Sequence, residues 1–438
     1  MDPMTAHRNI SKEMRAALPE DTLKLLERIG LLAGSCGYGA FIVGGPVRDI
    51  LLGTGNSDLD IAVEGDAIAM GRLLAKKLGG TVVTHKRFGT ATVFAGKGVR
   101  IDLATARTEI YERPAALPVV KSGSLRDDLM RRDFTINAMA ASISKNSFGR
   151  LVDFFGGETD LRNGRIRVLH DSSFIDDPTR IFRAVRFEQR FGFVIDRRTE
   201  RLIRDAVKTG MLDKVAPGRI RNEVILILKE KDPVKVLERM AALHGLRSIH
   251  PGIKFDEAAM RLCGSVGEVS ARYEDALSGR APIERWIIYL MALIDGLTYA
   301  QSRELCGRFA FRRGETMRIL SHKKHGRAIM RALGVKGAVP PHVVYRLLEP
   351  LSYENVLFLM ARADSKKARS RIKDFFEKYS GSGLTVRGSD LKALGLRPGP
   401  EFSRILRKVL YRKIDGALPA REDELKYLRS LVNRIDGA

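Results

Sequence analysis

The 438-residue chain has little of what stabilises secreted proteins or spans membranes. It holds one tryptophan and three cysteines, and its longest apolar run, Trp286 to Ile294, is far shorter than the roughly 20 residues that cross a bilayer. The cysteines are odd in number and widely spaced, which fits neither a disulfide framework nor a zinc pattern. Because the N terminus also lacks the hydrophobic core of a signal peptide, the sequence predicts a cytoplasmic protein with reduced thiols.

Acidic residues are also in short supply relative to basic ones. Lys and Arg total 76 against 52 Asp and Glu, a formal net charge of +24. Such a long-range field attracts polyanions, and neutralising phosphates is how proteins gain affinity for nucleic acid. The composition therefore predicts a nucleic-acid partner, with a membrane surface as the competing anion.

The predicted secondary structure changes character once along the chain. From about Ala40 to Asp153, alternating β-prone runs are split by helical segments, whereas after Asp176 the chain consists almost wholly of amphipathic helices separated by Gly and Pro. This pattern predicts an α+β head followed by an all-helical remainder. The Pro-containing stretch from Thr108 to Ser122 is predicted to be a mobile loop.

The run VGGPVRDILLGTGNSDLDI at residues 43–61 is the most informative stretch. A β-prone segment stops at Gly44 and Gly45, where backbone amides can approach a phosphate, and a short helix follows from Pro46. Arg48, one turn into that helix, would direct a fork of donors at the same phosphates. The run therefore predicts a site for a nucleotide triphosphate group, with an ordinary turn as the alternative.

Two aspartates end this run on a predicted strand. Alternation sends Asp58 and Asp60 to one face while Leu59 and Ile61 face the core. Hard carboxylate oxygens roughly 7 Å apart along a strand suit Mg²⁺. The alternative is a solvated strand edge.

A third carboxylate, Asp102, lies in the alternating run GVRIDLATAR at residues 98–107. If this strand neighbours the first, Asp102 lies beside the aspartate pair, where it would complete a two-metal site or accept a proton from an attacking hydroxyl. The alternative is a strand aspartate that only pairs with Arg100 or Arg107.

The segment DDPTRIFRAVRF at residues 176–187 is typical of a helix with an acidic cap and a proline in its first turn. Asp177, Arg180 and Arg183 then form a ridge at three-residue spacing. A carboxylate beside a guanidinium offers an acceptor and donors, which the Watson–Crick edge of cytosine or adenine needs. Salt bridges on an exposed helix face are the alternative.

In this order, the segments resemble the motifs of the DNA polymerase β superfamily, and closely those of class II tRNA nucleotidyltransferases and bacterial poly(A) polymerases. The first is similar to their GG-x-VRD-x-LLG followed by D-x-D, and residues 131–140, RRDFTINAMA, match the second motif almost letter for letter. The third motif is commonly E-D-x-x-R, and here Asp176 stands where glutamate is usual. The segment GSDLKALGLRPGP at residues 388–400 resembles the tail of longer class II members.

The resemblance implies a nucleotidyltransferase (polymerase β-like) head with a mixed β-sheet, followed by an all-helical neck, body and tail. The implied boundaries are residues 1–153 for the catalytic head, 154–215 for the base-recognising neck, 216–380 for the body and 381–438 for the tRNA-binding tail.

The resemblance also implies a role for each motif residue. Asp58 and Asp60 would bind two Mg²⁺ ions and Asp102 would assist deprotonation. The residues implied for the substrates, ATP and CTP, are Gly44, Gly45, Arg48 and Arg132 for the phosphates, Asp133 for the ribose 2′-hydroxyl, Asn137 for support of the pocket, Asp177 and Arg180 for the base, and Arg183 to steady that pair or reach a phosphate.

The implied function is transfer of CMP, AMP or both to the 3′ end of tRNA, and the sequence leaves open whether CCA, CC or A is added. A poly(A) polymerase is the first alternative, although residues 86–92, KRFGTAT, are similar to the tRNA-specific branch. A catalytically silent RNA-binding protein is the second, and the intact motif aspartates argue against it.

Overall fold

The computed structural model of the protein describes residues 8–55, 59–116, 118–277 and 283–436. Its backbone forms two compact units. One runs to Lys231 and includes Lys235–Ser248, and the other holds Asp232–Val234 and the chain from Ile249 onward. None of the described helices is both long and apolar enough to cross a membrane. The predicted boundaries of head, neck, body and tail stay a prediction.

The strands of the described chain all lie in the first unit. They are β1 (Gly39–Val43), β2 (Leu59–Glu64), β3 (Thr81–His85), β4 (Thr90–Ala95), β5 (Val99–Thr105), β6 (Arg107–Ile110), β7 (Val119–Ser122), β8 (Met139–Ser142), β9 (Leu151–Asp153), β10 (Arg165–Ile166) and β11 (Val194–Ile195). Seven of them form one sheet in the order β3-β4-β5-β2-β1-β8-β9. The β2–β5 pair is parallel and the other pairs are antiparallel, so the predicted mixed sheet is confirmed.

Helices account for most of the remaining chain, as predicted. Those of the first unit are α1 (Ser11–Ala17), α2 (Glu20–Ser35), α3 (Gly45–Leu51), α4 (Ala67–Leu78), α5 (Leu125–Met130), α6 (Gly157–Arg162), α7 (Ser173–Asp176), α8 (Arg180–Phe191), α9 (Arg197–Lys208) and α10 (Pro217–Leu228), followed by α11 (Pro233–Ala242). Those of the second unit are α12 (Glu257–Leu277), α13 (Arg285–Leu293), α14 (Tyr299–Arg308), α15 (Arg313–Leu333), α16 (Pro341–Leu348), α17 (Tyr353–Arg362), α18 (Lys366–Asp374), α19 (Gly388–Ala393), α20 (Pro400–Ile414) and α21 (Arg421–Asp436).

One face of the sheet is buried beneath α4. The Asp66 carboxylate accepts hydrogen bonds from the amides of Ile68 and Ala69 and so caps this helix, which ends at Gly79 in the left-handed conformation. In mid-helix, a Cβ atom at Gly71 would lie 2.7 Å from the Cβ of Ala91 on β4. The glycine therefore allows the helix to pack closely on the strands.

The opposite face of the sheet is covered over only half of its width. Leu125 and Leu129 of α5 pack there with Phe41 and Val43 of β1 and Ala140 of β8. The half made by β3, β4 and the outer part of β5 carries exposed side chains instead. The line between these halves runs along β2 and β5, the two strands that hold Asp60 and Asp102.

The second unit has its own apolar core. Helix α13 is buried all round, from Trp286 to Leu293. Near the C terminus, Leu391, Val409 and Leu428 belong to a separate cluster, beside which the buried Glu424 carboxylate accepts hydrogen bonds from Thr385, Val386 and Lys413. This small core positions α19, α20 and α21.

Candidate active site

The glycine turn lies where β1 ends and α3 begins. Gly44 has a φ of +76°, a conformation that L side chains rarely adopt. A Cβ atom at this position would also lie 2.4 Å from Nη1 of Arg132. Both the backbone and the approach of that guanidinium therefore require glycine. Helix α3 begins at Gly45, one residue earlier than predicted, with Pro46 in its first turn as expected.

The guanidinium of Arg48 is engaged by other side chains of the protein. It is buried, donates from Nε and Nη2 to the Asp49 carboxylate, and donates from Nη1 to Oδ1 of Asn137 over 2.6 Å. The guanidinium carbon also lies 5.4 Å and 4.7 Å from the ring centroids of Phe187 and Phe191. These contacts orient Asn137, a supporting role different from the one predicted. Phosphate binding by Arg48 stays a prediction.

The strand carboxylates are neighbours. Asp60 on β2 and Asp102 on β5 occupy the same register position of two parallel strands, with Leu59 and Ile61 buried on the other face as expected. Asp102 accepts a hydrogen bond from Oγ1 of Thr92 over 2.6 Å and forms an ion pair with Arg100 at 2.9 Å. Asp102 therefore pairs with Arg100, as the alternative predicts, and also lies beside Asp60. Its catalytic role stays a prediction.

Asp58, the other predicted metal ligand, lies outside the described residues. The adjacent carboxylates that are described supply hard oxygen atoms, the ligands that Mg²⁺ prefers, so the donor set fits this ion.

Arg132 follows Arg131, the residue that caps the C-terminal end of α5. Its Nη2 donates to the buried Asp128 carboxylate over 3.0 Å, and its buried Nε has no hydrogen-bond partner among the described residues. Burial alone would raise the pKa of Asp128, but the positive charges of Arg132 and Arg131 outweigh it and hold that pKa below its ordinary value. The ionised carboxylate thus holds Arg132 against the glycine turn with a donor to spare.

Asp133 is a saturated acceptor. Its Oδ1 accepts from the amide of Phe134 and from Nδ2 of Asn137, at 2.9 Å and 3.0 Å. Its Oδ2 accepts twice from Arg183, at 2.8 Å and 2.6 Å. Because a carboxylate offers about four lone-pair sites, all of them are engaged. Bonding to a ribose hydroxyl, which stays a prediction, would require one of these partners to move.

Asp133 and Arg183 each stabilise the charged form of the other. Burial alone would raise the pKa of Asp133, but the charge of Arg183 and the hydrogen bonds from Asn137 and Arg183 hold that pKa below its ordinary value. The charge of Asp133 in turn raises the pKa of Arg183. Arg183 therefore engages the predicted ribose ligand. Its predicted role, steadying Asp177 and Arg180 or reaching a phosphate, stays a prediction.

Asp177, Arg180 and Arg183 do not all lie on one helix, although their three-residue spacing predicted that they would. Asp177 precedes the helix, and α8 begins only at Arg180. Arg180 is buried, and it donates to Oγ of Ser173 over 2.7 Å and to the carbonyl of Arg131 over 2.7 Å. Since the chain turns at Pro178 between the two residues, Asp177 and Arg180 do not form the side-by-side pair that helical spacing predicts. Their role in base recognition stays a prediction.

The partner of Asp177 is Arg219, which the sequence analysis missed. Nη2 of Arg219 lies 2.8 Å from Oδ1 of Asp177, which also accepts from the amide and hydroxyl of Thr179. Among the described residues, all these contacts fall on Oδ1. Arg219 lies in the first turn of α10, 42 residues further along the chain, so local spacing does not reveal the pair.

Glu223, one turn beyond Arg219 on α10, was also missed. Burial raises its pKa, and the charges of Arg183 and Arg186 offset this only in part, while Asp177 and Asp133 raise it further. Arg219 and Glu223 are four residues apart, which puts them on one helix face. This spacing is the feature of the sequence that could have identified them.

The stretch from Thr108 to Ser122, predicted to be a mobile loop, contains a paired hairpin of β6 and β7. The buried Glu109 carboxylate holds it to α5 by accepting from Arg131 over 2.8 Å. Beyond β6, Ala115 has a φ of +61°, donates its amide to the carbonyl of Ile175 and accepts at its own carbonyl from Arg219. The ends of the stretch are therefore paired strands, which the local composition did not reveal. Its mobility stays a prediction.

Comparison with known proteins agrees with this geometry. A model of the poly A polymerase head domain matches residues 40–167, and one described as the probable RNA and SrmB-binding site of polymerase A matches residues 192–256. An A-adding tRNA nucleotidyltransferase from Geobacter sulfurreducens is 38% identical over 423 residues, which are 96% of this chain and 48% of that protein. The chain spans about half the length of the curated A-adding relatives it matches.

Solved structures match over almost their whole length. A CCA-adding enzyme in its second apo form has 34% identity and a TM-score of 0.81, covering 98% of this chain and 100% of that one. The Thermotoga maritima CCA-adding enzyme complexed with tRNA has 33% identity and a TM-score of 0.77, with the same coverage.

A mixed sheet with neighbouring carboxylates beside a glycine turn defines a nucleotidyltransferase with a polymerase β-like head. Within that class, the chain belongs to the family of class II tRNA nucleotidyltransferases, which includes the CCA-adding enzymes.

Proposed function

We propose that this protein transfers AMP, CMP or both from ATP and CTP to the 3′ end of tRNA and releases pyrophosphate. The observation that carries the proposal is the in-register pair of Asp60 and Asp102 on the sheet whose strand β1 ends in the glycine turn held against Arg132. The A-adding and CCA-adding names of the relatives support it, as do solved CCA-adding enzymes that hold ATP, CTP or tRNA.

The metal expected in this reaction is Mg²⁺, as two ions. Asp58 and Asp60 would hold it, with Asp102 alongside. When bound, such ions lower the pKa of the attacking hydroxyl and offset negative charge on the leaving pyrophosphate.

The protein residues have distinct roles in the proposed reaction. The 3′-hydroxyl oxygen attacks the α-phosphorus, the bond from that phosphorus to the bridging oxygen breaks, and Asp102 accepts the hydroxyl proton. Gly44, Gly45, Arg48 and Arg132 would hold the triphosphate, while Asn137 would support the pocket. Asp133, with Arg183 bound to it, contacts the ribose once that pair opens.

The base would be selected by Asp177 and Arg180. Because the contacts of Asp177 fall on Oδ1, its Oδ2 would be the acceptor for the exocyclic amino group of cytosine or adenine. Guanine and uracil present a carbonyl at that position, which a carboxylate repels. Arg180 would supply the donors.

A primer-extension assay tests the function. Transcripts of tRNA that end before C74, C75 or A76 are incubated with single nucleotides and Mg²⁺. Extension by one to three nucleotides supports the proposal and shows whether CCA, CC or A is added. A long adenylate ladder would instead identify a poly(A) polymerase, and RNA binding without pyrophosphate release would identify a silent RNA-binding protein. Because the proposed substrate is tRNA, we propose that the protein acts in the cytoplasm.

A further inference from the structure

One part of the sheet has no role in the function proposed so far. We call it the open face: the side chains of Val83 on β3, Thr92 and Phe94 on β4, and Arg100 on β5. Val83 lies opposite Thr92, which lies opposite Asp102, and Phe94 lies opposite Arg100. Directly opposed residues in a sheet point to the same side. The open face is therefore one continuous surface that leads to Asp102 and, across one more strand, to Asp60.

Large apolar side chains are exposed on this surface. Val83 is 48% and Phe94 is 44% exposed, whereas Val93, which adjoins Phe94 on β4, and Ile101 on β5 are completely buried on the other side of the sheet. Exposed apolar side chains that lie together mark a binding surface, whereas apolar residues scattered singly over a surface need no such explanation.

The topology indicates which substrate reaches this surface. The glycine turn follows β1, and Arg132 lies against it, so the proposed nucleotide ligands lie on the β1 side of the carboxylates. Strands β4 and β3 lie on the other side. In phosphoryl transfer, the attacking and leaving oxygens are roughly in line on opposite sides of the phosphorus. The acceptor strand must then approach from the side of the open face.

The chemistry of the open face suits single-stranded RNA. Arg100 has a side chain 64% exposed and pairs with Asp102 at 2.9 Å, so it can offset repulsion between an RNA phosphate and that carboxylate. Lys86 and Arg87 are exposed in the turn between β3 and β4. Aromatic rings for bases and cations for phosphates are the two elements of sequence-tolerant single-strand binding.

We propose that the open face binds the unpaired 3′-terminal nucleotides of the acceptor RNA, with a base stacked on Phe94 and a phosphate on Arg100. This inference rests on the proposed function for its direction of approach. Phe94 is then a positioning residue for the acceptor and makes no contact with the incoming nucleotide.

The test is a binding titration that needs no catalysis. A short single-stranded RNA with 2-aminopurine at its 3′ end is added to the full-length protein, and fluorescence quenching reports stacking. Because stacking on an aromatic side chain contributes about 1–3 kcal/mol per base, Phe94→Ala and Phe94→Leu should weaken binding roughly 5- to 150-fold and abolish quenching, whereas Phe94→Tyr should retain both. Leu73→Ala, a 45% exposed residue on the α4 side of the sheet, is the matched control and should change neither.

Transfer kinetics complete the test. The same Phe94→Ala change should raise the KM for tRNA by a similar factor while the KM for ATP or CTP stays within twofold. Equal binding and quenching in Phe94→Ala and wild type would overturn the inference, as would a Phe94→Leu variant that behaves like Phe94→Tyr. Intact quenching in a wild type that transfers no nucleotide would leave the binding surface established and refute the proposed function instead.

Discussion

The two groups of acidic side chains in the active site differ in how they meet solvent. Asp60 and Asp102 lie on strands, with Asp60 exposed and Asp102 partly exposed. Asp133 and Asp128 are buried and held by arginines, and Asp177 is bound by Arg219. The first group lies open where ions and the acceptor must arrive, and the second is already ordered by the protein.

This difference follows from the cost of desolvation. A buried carboxylate is tolerated only when it is paired and hydrogen-bonded, and such pairs stay in place before a ligand binds. Preformed dipoles and charges select and stabilise a substrate without reorganising at the moment of reaction. Metal ligands gain from remaining accessible, because the ion has to lose water and bind them. The variants below test this division.

The largest effect is expected at the exposed pair. Asp60→Ala should lower kcat for nucleotide transfer by at least about 10³-fold, because it removes a proposed metal ligand. Stability should change by no more than about 0.5 kcal/mol, since the side chain is exposed, and tRNA affinity should stay near wild type. Single-turnover kinetics and filter binding measure the two. Asp21→Ala on α2 is the control, and a variant that keeps a tenth of the wild-type rate would refute the metal assignment.

The buried pair should show the opposite pattern, with a loss of stability. Arg183→Met leaves Asp133 buried without its charge partner, which should cost about 3 kcal/mol in the free energy of unfolding, the lower end of the usual range because Arg183 is 34% exposed. Urea denaturation measures it. The matched control is Arg190→Met on the same helix, whose ion pair with Glu230 is more exposed and should contribute under about 1 kcal/mol. Equal losses in both variants would contradict the division.

An intermediate effect is expected at Arg219, the ion-pair partner of Asp177. Arg219→Met releases Asp177 from its ion pair, so the KM for the correct nucleotide should rise about tenfold, the effect of losing one charged hydrogen bond, and selectivity against GTP and UTP should fall. Steady-state kinetics with each nucleotide check this, with Arg221→Ala as the neighbouring control. Unchanged selectivity would show that Asp177 does not depend on Arg219.

The smallest effect concerns pH. Because the pKa of Glu223 is raised in the folded protein, chiefly by burial, the folded state binds more protons than the unfolded state once pH passes the ordinary value of 4.5. Stability contributed by this group is present below that value and is lost as pH rises through the raised pKa. Glu223→Gln should remove this fall from the pH profile of urea unfolding. Parallel profiles for variant and wild type would be inconsistent with the raised pKa.

The pKa of Asp133 is lowered, so its contribution has the opposite sign. It is fully present above the ordinary pKa of 3.8 and is lost as pH falls through the lower folded value. Comparing the two groups in one acid titration separates the effect of pairing from the effect of burial alone.

Much of the fold could be predicted from local patterns. The change from an α+β head to a helical remainder was predicted from the sequence, because alternation and helical periodicity report burial directly. The sequence predicted that Asp102 lies beside the aspartate pair only if the two strands are neighbours, and the structure shows that β2 and β5 are. The hairpin of β6 and β7 was missed because its stability comes from Glu109 and Arg131, which are distant in sequence.

The amino-acid sequence by itself determined the family, the mixed sheet, the glycine turn and which carboxylates lie on strands, since each depends on short spacings along the chain. Only the tertiary structure decided the partners of the buried charges. Arg183 engages Asp133, Arg219 engages Asp177 and Arg48 engages Asn137 across separations of 42 to 89 residues. A buried ion takes whichever opposite charge the packed chain brings within reach, and that choice is made by folding, not by neighbours in the sequence.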